Sequence, residues 1–263
     1  MNHIVTLIAT IIGVAGEKLN VDFQSDKVDR SLFSPDVKDS KGQWRVTSAN
    51  GLVAAIPKGT AERPPIKYVS RFDLEGDFEI IAEYRIVNLP TPHVPPGKDL
   101  GAASNNVELV VSGPGGWATV NRRNTGTGEV WGYFAQIGNR ESRSKGSPGK
   151  GKAGCLAVRR QGDRLIFLRG EEASRLEELG TIDFFREPIS EVSLQINAWN
   201  STDAVDVGFP RVQISADRII RRDGEADSSV FAWLRVVGLV VTAVGLAIGV
   251  RLLIRRRGSS RVV

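Results

Sequence analysis

Three acidic residues at every second position, Glu75, Asp77 and Glu79 in the stretch LEGDFEIIAEY, are well suited by type and spacing to catalysis. In a β-strand they share one face. Retaining hydrolysis of a glycosidic bond needs two carboxyl groups ~5 to 5.5 Å apart, whereas positions i and i+4 of a flat strand are ~13 Å apart at the backbone. The pattern therefore predicts the hydrated face of a sheet, with glycoside hydrolysis by Glu75 and Glu79 as the alternative.

A second candidate site lies on two strands that are predicted to pair as a hairpin through NTGTGE. Trp117, Asn121 and Arg123 share one face of the first strand, and Trp131 and Tyr133 share one face of the second. On an open sheet face, these aromatic rings could stack on sugar rings while the polar groups bind hydroxyls. On an inner face the same residues would be core. We treat the five as the candidate ligand-binding residues.

The chain has few other residues of the types used as catalytic nucleophiles, bases or metal ligands, namely one cysteine, Cys155, and two histidines, His3 and His93. A single cysteine excludes an intramolecular disulfide, and this composition excludes a zinc cluster built from cysteine and histidine. His93 lies in a proline-rich loop, where it is expected to be solvated. The sequence predicts no cofactor and no metal site.

The elements that must position these residues are strands. Between residues 17 and 220, short runs that alternate or are rich in β-branched residues are separated by Gly, Pro, Asn and Asp, without a convincing amphipathic helix. One pair, CLAVRRQ and DRLIFLR, is separated only at Gly162 and should form a tight hairpin. The pattern predicts an all-β sandwich or barrel.

The order of the strand phrases resembles the concanavalin A-like lectin/glucanase superfamily, in particular its bacterial extracytoplasmic domains of unassigned function. The phrases are GLVAAIPKG, FDLEGDFEIIAEYRI, VELVVSG, AGCLAVRRQGDRLIFL, and VSLQINAW followed by VDVGFPRVQISADRI. The resemblance implies a jelly-roll sandwich of two antiparallel sheets over residues 17–220. It implies no activity, since this fold carries lectins, hydrolases and adhesion modules. The E-x-D-x-E spacing also resembles the catalytic strand of laminarinase-type hydrolases, although Gly76 replaces an apolar residue of that motif.

Both ends of the chain indicate a membrane protein. Residues 1–16 contain an apolar run and no Lys, Arg, Asp or Glu, which predicts a signal peptide. Residues 231–254 predict one C-terminal transmembrane helix, with residues 221–230 as a juxtamembrane tether. Residues 255–263 form a basic tail, which should remain in the cytoplasm and leave the sandwich outside.

The net charge of +5 does not indicate a nucleic-acid partner, because six arginines and no acid lie in residues 229–263. The sequence therefore predicts a single-pass, extracytoplasmic lectin-like module that binds a polysaccharide or another envelope component. Two alternatives remain: a glycoside hydrolase, and a structural or protein-interaction module without a small ligand.

Overall fold

A computed structural model describes residues 16–25, 31–36, 43–59, 64–94, 103–144 and 146–222. Within these ranges every regular element is a β-strand, and all strand pairs are antiparallel. The strands form two sheets that share one hydrophobic core. The predicted all-β sandwich of two antiparallel sheets is confirmed.

Sheet A contains nine strands. They are β1 (Glu17–Asp22), β3 (Gln43–Thr47), β4 (Gly51–Ile56), β6 (Phe72–Asn88), β12 (Ala153–Gln161), β13 (Arg164–Gly170), β14 (Glu177–Asp183), β16 (Val205–Phe209) and β17 (Arg211–Arg221). The main order is β14-β13-β12-β6-β16-β4-β3, and β17 lies between β6 and β1. The long strand β6 thus pairs first with β17 and then, towards its C-terminal end, with β16.

Sheet B contains eight strands and carries the second candidate site. They are β2 (Phe33–Asp36), β5 (Ile66–Ser70), β7 (Ser104–Gly113), β8 (Gly116–Thr125), β9 (Gly128–Ile137), β10 (Arg140–Arg143), β11 (Ser147–Pro148) and β15 (Glu191–Trp199). Their order is β10-β9-β8-β7-β15-β5-β2, with β11 also paired to β9.

Alternation along each strand builds the core between the sheets. In β6 the residues Phe78, Ile80, Ala82 and Tyr84 are buried, while the acids between them are only partly covered. The inward residues of sheet B, such as Leu109, pack into the same cluster. This arrangement follows from the period of two in a strand, which sends successive side chains to opposite faces.

One detail of β6 differs from simple alternation. Alternation predicts Gly76 on the core face with Leu74 and Phe78, but the glycine adopts a positive φ of 71° and the register against β17 shifts there. A Cβ at Gly76 would lie 2.2 Å from a carboxylate oxygen of Asp217. The glycine therefore forms a β-bulge, and its carbonyl accepts a hydrogen bond from Arg160 Nε at 2.7 Å.

The predicted hairpin around Gly162 is confirmed, since β12 and β13 pair from Gln161 and Arg164 outwards. Within the described residues, no helix is long and apolar enough to cross a membrane. The predicted transmembrane helix at 231–254 and the basic tail at 255–263 lie outside those residues. So do residues 1–15 of the predicted signal peptide and residues 223–230 of the predicted tether.

Candidate functional site

The predicted β8–β9 hairpin is present, but it divides the five candidate ligand-binding residues between two faces of sheet B. In its register Arg122 lies opposite Trp131, and Asn121 lies opposite Gly132. Directly opposed residues of neighbouring strands point to the same face. Asn121 therefore shares its face with Gly132 and not with Trp131.

Trp131 and Tyr133 belong to the interior of the sandwich. The Trp131 side chain is only 2% exposed and meets Tyr84 of sheet A edge to face, with 5.8 Å between ring centroids. Tyr133 stacks on Phe167 of sheet A with 4.4 Å between centroids. The expectation that these two rings share a surface with Asn121 is corrected, because the odd-numbered residues of β9 face the core.

Trp117, Asn121 and Arg123 lie together on the outer face of sheet B. They alternate along β8 with buried residues that face the core, such as Val120. Trp117 is 37% exposed and packs beside Phe134 of β9, with 5.0 Å between ring centroids. The structure thus keeps three of the five candidates on one surface.

Polar side chains from neighbouring strands extend that surface across the sheet. The register places one row of residues side by side on β9, β8, β7, β15 and β5, namely Gly132, Asn121, Glu108, Gln195 and Lys67. A second row lies two residues from the first on β8, β7 and β15, and it consists of Arg123, Asn106 and Asn197. We call the side chains of these rows the polar face: Lys67, Asn106, Glu108, Asn121, Arg123, Gln195 and Asn197.

The polar face has hydrogen-bonding capacity that the protein leaves unused. Buried atoms without a hydrogen-bond partner in the described part of the chain include Oδ1 of Asn106, Asn121 and Asn197, and Nε of Arg123. Such an atom costs ~1 to 3 kcal/mol, and most buried polar groups in native proteins are paired. Four of the ten such atoms among the described residues belong to this face, and they are the ones that a ligand bound there could satisfy.

Glu108 occupies the centre of the polar face, between Asn121 and Gln195. Burial raises the pKa of its carboxyl group from 4.5 to about 7, although the Asn106 side chain and the charges of Lys67 and Arg123 act in the opposite direction. Near neutral pH the group therefore exists in both forms, so it can donate or accept a hydrogen bond.

Gly132 keeps the β9 end of the first row free of a side chain. A Cβ at this position would lie 3.0 Å from Ser144 Oγ and 3.4 Å from Asn121 Oδ1. Any larger residue would therefore fill the space beside Asn121, which makes the glycine a determinant of the shape of this surface.

The three acids of β6 lie on the opposite sheet, and each carboxylate already has a partner. Glu79 accepts a hydrogen bond from Arg159 Nε at 2.7 Å, and Glu75 accepts one from Arg218 at 3.0 Å. Asp77 accepts the backbone N–H of Gly162 at 2.7 Å, which holds the β12–β13 turn.

A cavity of about 300 Å³ lies beside Glu79 but does not bring the acids together. Its lining residues are Lys18, Asn20, Glu79, Ile81, Gln213, Ile214 and Ser215. Neither Glu75 nor Asp77 lines it, and the lining contains no aromatic ring. This geometry gives the hydrolase alternative no specific support.

Sequence reasoning missed most of the polar face, namely Lys67, Asn106, Glu108, Gln195 and Asn197. The sequence pattern that could have identified four of them is alternation with core residues. Asn106 and Glu108 alternate with core residues of β7, and Gln195 and Asn197 alternate with core residues of β15. That these two strands are neighbours follows only from the sheet order.

The described fold matches solved structures at low sequence identity. No family model matches the chain, and no curated protein matches it either. The alginate lyase from Klebsiella pneumoniae is 10% identical with a TM-score of 0.54, and the match covers 73% of this chain and 98% of that one. Another match comes from work on endo-acting O-glycanases, which prominent members of the human gut microbiota express to initiate mucin breakdown. That structure is 11% identical with a TM-score of 0.55, and the match covers 75% of this chain and 98% of that one.

A third similar structure is the CBM2 module of the evolved Dit of Lactobacillus casei BL23 phage J-1. It is 10% identical with a TM-score of 0.51, and the match covers 78% of this chain and 96% of that module. At these identities the similarity shows the fold alone. The jelly-roll sandwich of two antiparallel sheets that the strand phrases implied is confirmed as a fold.

Proposed function

We propose that this chain is a membrane-anchored, extracytoplasmic lectin-like module that binds a neutral glycan on the polar face and does not cleave it. The observation that carries the proposal is the unused hydrogen-bonding capacity of Asn106, Asn121, Arg123 and Asn197 on one face of sheet B. The exposed ring of Trp117 lies on the same face, four residues along β8 from Asn121. The alginate lyase and the O-glycanase work among the structural matches make glycans the ligand class to test first.

The chemistry of the polar face fits hydroxyl groups better than charged groups. Four of its seven side chains are amides, and each amide combines donors with an acceptor, as a sugar hydroxyl does. The charges nearly balance, because Arg123 and Lys67 are accompanied by Glu108 and by Glu191, which lies 3.9 Å from Lys67. A neutral glycan therefore fits this surface best.

Binding without cleavage is supported by the distribution of carboxyl groups. Glycoside hydrolases of the common type use two carboxyl groups on either side of the scissile bond. Glu108 is the one carboxyl group among the seven polar-face side chains. Glu191, on the same side of sheet B, is paired with Lys67 and lies four residues along β15 from Gln195, which is about 13 Å. Glu75 and Glu79 lie on sheet A in contact with arginines. We therefore assign Glu108 a role in binding.

Membrane anchoring is supported by the sequence. The uncharged residues 1–16 suit export, and the apolar segment 231–254 is long enough to span a bilayer. The arginines after Ile254 would hold the C-terminus in the cytoplasm. The sandwich would then be presented at the outer surface of that membrane.

Affinity electrophoresis of the full chain through gels that contain a β-glucan, xylan or glycol chitin tests the proposal. We expect one of these polymers to retard the wild-type chain and to release no new reducing ends during incubation with it. Asn121→Leu should abolish retardation, because it removes an amide from the central row. The matched control is Asn20→Leu on sheet A, where the side chain is exposed and retardation should be unchanged. Equal behaviour of the two variants would contradict the assignment of the surface.

A further inference from the structure

We infer that the polar face binds an extended polysaccharide chain that runs along the strands of sheet B between two aromatic end plates, Trp117 and Trp199. The inference rests on the proposed glycan binding and adds the kind of glycan: an extended polymer segment, not a single terminal sugar. A ligand of this kind would contact both rings and the amides between them.

The exposed tryptophans of the described residues both lie on the outer face of sheet B. In the described part of the chain, the exposed large hydrophobic residues are Val46, Val87, Trp117 and Trp199. The two valines belong to sheet A, whereas both tryptophans belong to the outer face of sheet B. Trp199 is 56% exposed and continues the alternation of Gln195 and Asn197 along β15.

The two tryptophans lie far apart along the strand direction. Trp117 lies opposite Ser112 of β7, and Trp199 lies opposite Ser104 of the same strand. Eight residues of a strand span about 27 Å at ~3.4 Å per residue. One sugar ring cannot bridge that distance, whereas an extended chain of several rings can. The rows of amides lie between the two plates, where they can meet the hydroxyls of the intervening rings.

The protein holds the ring of Trp117 by packing and fixes the backbone that follows Trp199. Trp117 packs beside Phe134, as described above. Trp199 ends β15, and the turn that follows is fixed because the Asp203 carboxylate accepts hydrogen bonds from Ser201 Oγ at 2.8 Å and from the His93 backbone N–H at 2.5 Å. Asn200 adopts a φ of 50° in this turn, a conformation that asparagine tolerates. A ring that is fixed in advance, as that of Trp117 is, loses little conformational entropy when a sugar stacks on it.

Each plate offers an apolar surface to the axial C–H groups of a pyranose ring. Tryptophan suits this role because its ring system is large and its N–H remains free to bind water or a hydroxyl. A short oligosaccharide would occupy one plate and part of the amide rows. A longer one would reach the second plate, so its affinity should be higher.

Isothermal titration calorimetry of the full chain tests this, with cello-, laminari- and chito-oligosaccharides from the disaccharide to the octasaccharide as probes. In the series that binds, we expect the dissociation constant to fall with length until both plates are reached. Trp199→Ala should raise the dissociation constant of the octasaccharide by roughly fivefold or more. Because a disaccharide can reach only one of the two plates, at most one of Trp117→Ala and Trp199→Ala should weaken its binding.

The control is Val87→Ala, which trims an exposed apolar residue of sheet A and should not alter binding of any probe. Trp117→Ala should raise the dissociation constant of the octasaccharide by a similar factor to Trp199→Ala. Equal affinity for short and long probes, or octasaccharide binding that survives both tryptophan substitutions, would overturn the two-plate inference while leaving glycan binding intact. Absence of binding in all three series would instead contradict the proposed function itself.

Discussion

Replacement of Glu108 by glutamine should stabilise the folded chain at high pH and should have little effect at low pH. Burial raises the pKa of Glu108 from 4.5 to about 7. Between these values the folded chain retains a proton that the unfolded chain has lost, so the stability contributed by the protonated group is complete below pH 4.5 and is lost as the pH rises to about 7.

The magnitude follows from the size of the pKa shift. Each pH unit in this interval costs ~1.4 kcal/mol of unfolding free energy, so the total is about 3 kcal/mol. This is an upper value, because the Glu108 side chain keeps some contact with solvent. The glutamine of the variant carries no titrating proton and should not lose this stability.

Urea unfolding of both proteins, followed by tryptophan fluorescence at about pH 4 and about pH 8, measures the effect. The quantity to compare is the difference in unfolding free energy between Glu108→Gln and wild type, since all other titrating groups cancel in it. The difference should favour the variant at the higher pH by ~1 to 3 kcal/mol. Glu141→Gln, at an exposed edge position, is the control and should stay within ~0.5 kcal/mol at both values. A difference that is independent of pH would refute the buried, proton-binding carboxyl group.

Three further predictions concern packing, the shape of the polar face and topology. Phe78→Ala should lower the free energy of unfolding, measured by chemical denaturation, by ~3 to 5 kcal/mol because the ring is fully buried. Glu79→Gln should lower it by less than ~1 kcal/mol because the ion pair of Glu79 with Arg159 is partly exposed. Similar losses in the two variants would mean that the strand faces are misassigned. Gly132→Val should reduce glycan retardation in the affinity gels by filling the space beside Asn121, and unchanged retardation would show that the ligand lies elsewhere. Protease added to spheroplasts should digest the sandwich and spare an epitope at the C-terminus, and protection of the whole chain would contradict the proposed orientation.

The outward direction of the β6 acids was predictable from the sequence because it depends on local alternation. Glu75 and Glu79 face away from the core, and Phe78 and Ile80 face into it, as the period of two requires. The bulge at Gly76 was missed because it depends on Asp217 of β17, which is distant in the sequence.

The candidate site was only half predictable, because a one-residue change in hairpin register moves every side chain to the other face. The β8–β9 turn joins Thr125 to Gly128, and this length places Gly132, not Trp131, beside Asn121. The assembly of Glu108 and Gln195 could not be predicted either, since it depends on the non-local pairing of β7 with β15.

The most direct test of the central claim is a crystal structure of the chain with the longest oligosaccharide that binds in the calorimetric series. We expect the sugar chain to lie over β7, β8 and β15, with hydroxyl groups within hydrogen-bond distance of Asn121 and Gln195 and rings stacked on Trp117 and Trp199. A glycan seated on the outer face of sheet A, in the cavity beside Glu79, would contradict the account.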